Sequence, residues 1–208
     1  MADLYNLRIF LNCPFHRAYQ PVFRAMVFAI YDCGFRARCA LEESDSGEVR
    51  LRKIVRLLKT CRYSIHDLSR VHGRLNMPLE LGVELGMRES GLRRWRNRRS
   101  LVLDSRAYRY QKVVSDLAGC DTRHHGNSPD QAIRAVRDWL RTASRRSKLP
   151  GAAEISRRYR RFLRQLPDNA RRLRLKLHEI VYLDYVYFVT EWLRVNAPPV
   201  AQVPSRRT

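Results

Sequence analysis

Residues 7–11 (L-R-I-F-L) form a short, largely apolar run closed by Asn12-Cys13-Pro14. That pattern predicts a buried strand and the loop after it. Over 19–33 the apolar residues Phe23, Val27, Ile30 and Tyr31 recur at helical spacing. Gly34 follows where a left-handed residue would end that helix. Residues 35–41 then predict a second strand, and 42–47 (E-E-S-D-S-G) a polar, acidic loop. Over 48–60, Val49, Ile54, Leu57 and Leu58 make one face of a helix whose outer side carries Arg50, Arg52, Lys53 and Arg56. Residues 63–68 (Y-S-I-H-D-L) predict a third strand.

The alternation continues. Residues 76–87 predict a helix with Pro78 in its first turn, where a missing N–H is harmless. A strongly basic loop at 91–99 precedes a fourth strand at 101–103. A short helix at 111–117, a fifth strand at 121–124 and an amphipathic helix at 129–142 (Ile133, Val136, Trp139, Leu140) complete the series. Strands alternating with helices across short connections predict an α/β fold, a flavodoxin-like doubly wound parallel sheet of about five strands. After residue 142 the strands stop. Residues 143–151 look like a linker, and two helices follow at 155–166 and 171–195, separated by Pro167. The chain therefore divides into an α/β domain at 1–142, a basic helical extension at 152–196 and a proline-bearing tail at 197–208, expected to be disordered.

Composition changes the picture in one respect. Hydrophobic residues make up 45% of the 208, enough for a core, but 41 Lys+Arg against 20 Asp+Glu leave a net charge of +21. Of the basic residues 36 are arginine. Such a field favours polyanions: nucleic acid, nucleotides or an acidic protein. The five cysteines (Cys13, Cys33, Cys39, Cys61, Cys120) are scattered, without C-x-x-C, and predict free thiols in apolar surroundings. A reducing cytoplasm suits them. Residues 1–8 lack the basic and apolar regions of a signal peptide. The most apolar stretch, 180–193, is short and broken by Asp184 and Glu191, so no membrane association is expected.

In an open parallel sheet, ligands bind beyond the carboxyl ends of the strands. The loops after the first three strands should bring Asn12, Glu43, Asp45, Glu48, Asp67, Ser69, Asn76 and Glu80 towards one cleft. Glu80 stands out. It lies between Leu79 and Leu81 in the first turns of a helix, with Gly82 beyond. A carboxylate among apolar neighbours can serve as nucleophile or oxocarbenium stabiliser. An acid in a first turn also simply complements the helix dipole, and on spacing alone both readings stand. His66, alternating with apolar residues, reads as a hydrogen-bonded structural histidine. His124-His125 lacks further ligands at metal spacing, so no metal site is expected. Neither G-x-G-x-x-G nor a Walker A motif is present, which argues against ordinary dinucleotide reductases and P-loop NTPases.

The run L-R-I-F-L-N-C-P-F, the turn Asp45-Ser46-Gly47-Glu48, the strand C-R-Y-S-I-H-D-L-S and the helix start N-M-P-L-E-L-G resemble the TIR-like superfamily. That group includes nucleoside 2-deoxyribosyltransferases and TIR-type NAD glycohydrolases. The resemblance covers roughly the first hundred residues. It implies that Glu80 attacks or stabilises the anomeric carbon of a ribosyl ring. It further implies that Asn12, Asp67, Ser69 and Asn76 shape the substrate pocket, that Phe15 and Tyr19 are aromatic candidates near the base, and that the turn with Asp45 and Glu48 gates the cleft. NAD or a related nucleotide would be substrate, with no cofactor, and the role in bacteria would be defence by nucleotide depletion. Assembly into a homo-oligomer, or pairing through the apolar last helix with a protein partner, is expected.

Two other readings accompany this one. The domain could sense a nucleotide without catalysis and signal through its C-terminal helices. Alternatively, Arg157, Arg158, Arg160, Arg161 and Arg164, interleaved with Tyr159 and Phe162, could contact nucleic-acid phosphates and bases.

Overall fold

The computed structural model describes residues 4–69, 75–109 and 121–197. Five strands, β1 (Arg8–Asn12), β2 (Arg36–Cys39), β3 (Tyr63–Asp67), β4 (Arg99–Asp104) and β5 (Arg123–His124), make one sheet in the order β2-β1-β3-β4-β5. Every pairing is parallel. The helices are α1 (Gln20–Asp32), α2 (Arg50–Lys59), α3 (Asn76–Glu89), the single turn α4 (Arg93–Arg96), α5 (Pro129–Ser144), α6 (Ala152–Arg172) and α7 (Tyr182–Asn196). This is the doubly wound α/β architecture that the alternation predicts, with the chain reversing direction across the sheet between β1 and β3. The helix expected at 111–117 and the tail from 198 onwards lie outside the described residues.

Strand alternation sends side chains to two faces. Ile9, Leu11, Ile65 and Leu103 face α1 and α5, in a large core that also takes in Ile155, Tyr159, Phe162, Tyr185, Phe188 and Trp192 from α6 and α7. Phe10 faces the other way, into a small core with Ile54, Leu57, Leu58 and Met87 of α2 and α3. A third group, Leu68, Met77, Leu81 and Val102, backs the start of α3. One face of the sheet is thus covered by two layers of helix and the other by one. The apolar side of α7 is spent on α1 and α6 within the chain; Leu183 and Tyr187 stay exposed.

Local signals behave as their chemistry requires. Gly34 adopts φ 75°, and the amides of Gly34 and Phe35 close α1 on the carbonyls of Tyr31 and Ile30. Ser128 caps α5 by accepting from the Gln131 amide, with Pro129 in the first turn. Three expectations are corrected. Pro167 does not separate two helices: α6 runs through it, because Phe162, Leu166 and Ala170 are buried on one stripe and hold the helix across the missing hydrogen bond. The break falls later, where Arg174 takes φ 57° and the Leu175 amide returns to the Ala170 carbonyl, so the last helix begins at Tyr182. The basic loop at 91–99 contains α4, and its last residue already belongs to β4.

The four described cysteines, Cys13, Cys33, Cys39 and Cys61, are free and buried. Among the described residues no helix is long and apolar enough to cross a membrane.

Candidate functional site

The carboxyl ends of β1 and β3 lie side by side, Asn12 opposite His66. The Asn12 amide nitrogen donates to Nδ1 of His66 at 3.0 Å and to the Met77 carbonyl at 2.9 Å. It thereby ties the first turn of α3 to the sheet. With Nδ1 accepting, the His66 proton sits on Nε2 and points to Oε2 of Glu84, 2.6 Å away. Glu84 also accepts from Arg98 Nε at 3.1 Å and Ser100 Oγ at 2.9 Å. Arg98, wholly buried, donates as well to the carbonyls of Leu58 and Cys61. Burial alone would push Glu84 up, but the His66 hydrogen bond and the Arg98 charge draw it down to about 2. This lattice is structural: the Asn12 amide, the His66 ring and the Glu84 carboxylate are spent on one another and on Arg98, Ser100 and Met77, while Nη2 of Arg98 has no partner among the described residues.

Glu80 lies one turn before Glu84 on the same side of α3. It is 4% exposed. Its polar partner is Arg50, the first residue of α2, whose Nη2 stands 3.7 Å away and whose side chain is 57% exposed. Burial raises the Glu80 carboxyl above the usual carboxylate range, against the opposing charge of Arg50. Glu80 therefore differs from its buried neighbours. Glu84 and Asp67 are each held by at least three donors; among the described residues Glu80 has one long ion pair, to a side chain standing in water.

The end of β3 carries a second cluster. Asp67 accepts from Tyr19 Oη, from His125 Nε2 at 2.9 Å and from the Ser69 amide at 2.8 Å. Against the cost of burial, these hydrogen bonds, that from His125 foremost, bring its carboxyl below the ordinary value. Ser69 Oγ is 3.0 Å from the same Nε2, and Nδ1 of His125 accepts the Asn127 amide. Serine and aspartate meet one ring nitrogen, so His125 has no free nitrogen with which to act as base towards Ser69. The cluster is not a Ser-His-Asp triad. Cys13 connects the two clusters electrostatically: burial pushes its thiol up, and Asp67 and Glu80 both add to the rise.

The remaining sequence candidates scatter. Phe15 is half-buried against Phe23, ring centroids 5.4 Å apart, and packs on both cores. Asp45 closes its own turn on the Gly47 amide at 2.9 Å. Glu48 and Glu43 share the Arg56 guanidinium, which pins the 42–48 loop onto α2 rather than aiming those acids at Glu80. Asn76 is exposed at the head of α3. The eight expected side chains thus form separate groups instead of lining one cleft. In α6, Arg158 is buried against Asp32 and leaves the basic face; Arg157 pairs with Glu154 and Arg160 with Asp130, Arg161 lies over the Trp192 ring, and Arg164 is exposed.

Sequence reasoning missed Arg50 as a partner of Glu80, and it missed Glu84 and His125. The i,i+4 spacing of Glu80 and Glu84 was a usable signal. Nothing local marks His125, which reaches Asp67 from 58 residues away.

Among the described residues, one cavity of about 350 Å³ is lined by Tyr5, Asn6, Arg62, Arg93, Arg94 and Asn97. Another of about 400 Å³ lies by β5 and α5, between Arg123, Gln131, Arg134 and Asp138. Glu80 lines neither. Residues 70–74, which precede α3, lie outside the described residues. No group of three or more His, Cys, Asp or Glu among the described residues is arranged to hold a metal. No family model, curated protein or solved structure matches the chain.

Proposed function

We propose that the protein cleaves or transfers the N-glycosidic bond of a nucleotide, with Glu80 as the carboxylate that meets the anomeric carbon. One observation carries this reading. At the carboxyl rim of a parallel sheet, Glu80 is almost dry, yet among the described residues it has one long ion pair, to an exposed arginine. A structural acid in that position is normally saturated, as Glu84 and Asp67 are. When Arg50 swings to a substrate phosphate, Glu80 is left with an open side and a strong demand for positive charge. An oxocarbenium-like centre supplies that charge. The C1′–N bond breaks with its electron pair leaving on the base. A C1′–O bond forms to Glu80 or to water, and in hydrolysis the water releases its proton.

The resemblance to TIR-like enzymes makes NAD the first substrate to try, with the pyrophosphate on Arg50. Base release from NAD and a panel of nucleotides and nucleosides, followed by chromatography, tests the reading. Turnover lost in both Glu80→Ala and Glu80→Gln, with folding intact, supports it. Arg50→Ala should raise KM for phosphate-bearing substrates and spare nucleosides. Full activity in Glu80→Gln would sink the proposal.

A second reading is favoured by the shared core of α1, α6 and α7. In that reading the site binds a nucleotide without turnover, and the C-terminal helices transmit its occupancy. Saturable nucleotide binding with no released base distinguishes it.

A further inference from the structure

The amino ends of the strands carry a different chemistry from the carboxyl ends. Arg8 pairs in register with Arg36. Ile9 pairs with Tyr63, so Arg62 stands beside Arg8 one residue earlier. Across β2, β1 and β3 the same row at the sheet edge is therefore Arg36, Arg8, Arg62. With strands about 4.8 Å apart, this row spans roughly 10 Å. Its side chains belong to the face on which Phe10 meets Trp95 and α2, and there the turn α4 adds Arg93 and Arg94.

Arg62, Arg93 and Arg94 line the cavity of about 350 Å³ with Tyr5, Asn6 and Asn97, and no carboxylate among the described residues lines it. The arginines are oriented by neutral groups. Arg62 Nη1 donates to the Asn6 side-chain oxygen at 2.7 Å. The Arg94 guanidinium lies over the Tyr5 ring, 5.2 Å from its centroid, and Tyr5 Oη donates to the Arg94 carbonyl at 3.1 Å. Among the described residues none of Arg8, Arg36, Arg62, Arg93 or Arg94 makes an ion pair. The arginines of α6 behave otherwise: Arg157, Arg158 and Arg160 are each neutralised by an acid.

We propose that this edge is a nucleic-acid phosphate site, separate from Glu80 at the far end of the same strands. Guanidiniums without a counter-charge among the described residues, three in a row and two on the adjoining turn, fit successive phosphates of a strand. Binding there releases counterions, is insensitive to sequence and weakens steeply with salt. The length of the row selects a strand over a single phosphate group.

Fluorescence anisotropy with labelled single-stranded DNA and RNA, at about 50 and about 200 mM salt, tests this on the full chain. The triple variant Arg62→Ala/Arg93→Ala/Arg94→Ala should lose at least about tenfold in affinity, and its salt slope should fall by about 2 to 3. The α6 variant Arg157→Ala/Arg160→Ala/Arg164→Ala should bind as the wild type does. If the triple variant is unfolded by circular dichroism, the double variant Arg93→Ala/Arg94→Ala, confined to exposed side chains, is used with an expected loss of at least about threefold and a slope change of about 1 to 2. Unchanged affinity in the edge variants, the loss appearing in the α6 variant instead, or no binding by the wild type overturns the proposal. Displacement of the oligonucleotide by inorganic tripolyphosphate at equal phosphate concentration also overturns it, in favour of a pocket for small polyanions.

Discussion

Arg158 of α6 donates its Nε to Oδ2 of Asp32, the last residue of α1, at 2.9 Å, and both side chains are buried. The bond joins residues 126 positions apart and fastens the C-terminal helices to the first helix of the α/β body. Burial pushes the Asp32 carboxyl up, and Arg158 opposes the rise. Removing one partner leaves the other charge buried and unpaired. Arg158→Ala should therefore cost about 3 to 5 kcal/mol in urea unfolding. Arg160→Ala, which breaks an exposed pair with Asp130, should cost no more than about 1 kcal/mol. Equal effects from the two would refute this division of labour.

Acid should unfold the protein through Glu84 and Asp67. Both have folded pKa values below their ordinary ones, Glu84 at about 2. Their contribution is complete above the ordinary carboxylate range and is lost as pH falls through the folded values. For Glu84 alone the loss is on the order of 3 kcal/mol between pH 5 and pH 2. Urea midpoints at pH 6, 4 and 3 should fall steadily in the wild type. The same series on Glu84→Gln should start lower and be flatter.

Glu80 has the opposite sign. Its folded pKa is raised, so its contribution is present at low pH and lost as pH rises through the folded value. Glu80→Gln should unfold at the same or slightly higher urea concentration near neutral pH, within about 1 kcal/mol. Under the proposed function the acid limb of kcat/KM lies above the ordinary glutamate range, since Glu80 must be ionised. Arg50→Ala should move that limb further up, because a positive neighbour is gone. A limb that stays put in Arg50→Ala would separate Arg50 from Glu80.

Asn12 acts on Glu80 at one remove. Its amide holds Met77 and His66, so Asn12→Ala should cost about 2 kcal/mol for two buried hydrogen bonds. It should lower kcat with little change in KM. An unchanged kcat at full occupancy would make Asn12 purely structural.

Pro167→Ala should stabilise α6. The helix already runs through this position, and alanine restores an amide donor, a gain of about 1 to 3 kcal/mol. A higher Tm by calorimetry is the expected result, and a lower one would show that the ring's packing outweighs the hydrogen bond.

The sequence was legible where a signal is local and periodic. Strand-helix alternation gave the sheet and its faces, and Gly34 ended α1; of the two leucines read as apolar neighbours of Glu80, Leu81 is buried but Leu79 is exposed. It was opaque where tertiary contact overrules local preference. Pro167 looks like a boundary until Phe162, Leu166 and Ala170 are seen to share a buried stripe. Arginine density hid more. Arg98 falls in the basic loop and Arg158 among the arginines offered to nucleic acid, yet one is the hub of a buried lattice and the other the clasp of two helices. Asp67 could be placed at the end of β3, but not its partners Tyr19 and His125, which come from distant loops.

The uneven covering of the sheet has a dynamic consequence. The α1/α5 face is backed by a second helical layer, while α2 and α3 rest on a few buried side chains alone. Amide protons of α2 and α3 should exchange through local openings well below the free energy of global unfolding, while those of α1 wait for the whole molecule to open. Glu80 and Arg50 sit on α3 and α2, the two helices expected to exchange first. The carboxylate then lies dry on the half of the molecule expected to open first, and under the proposed function a small excursion of that thin layer would admit the substrate.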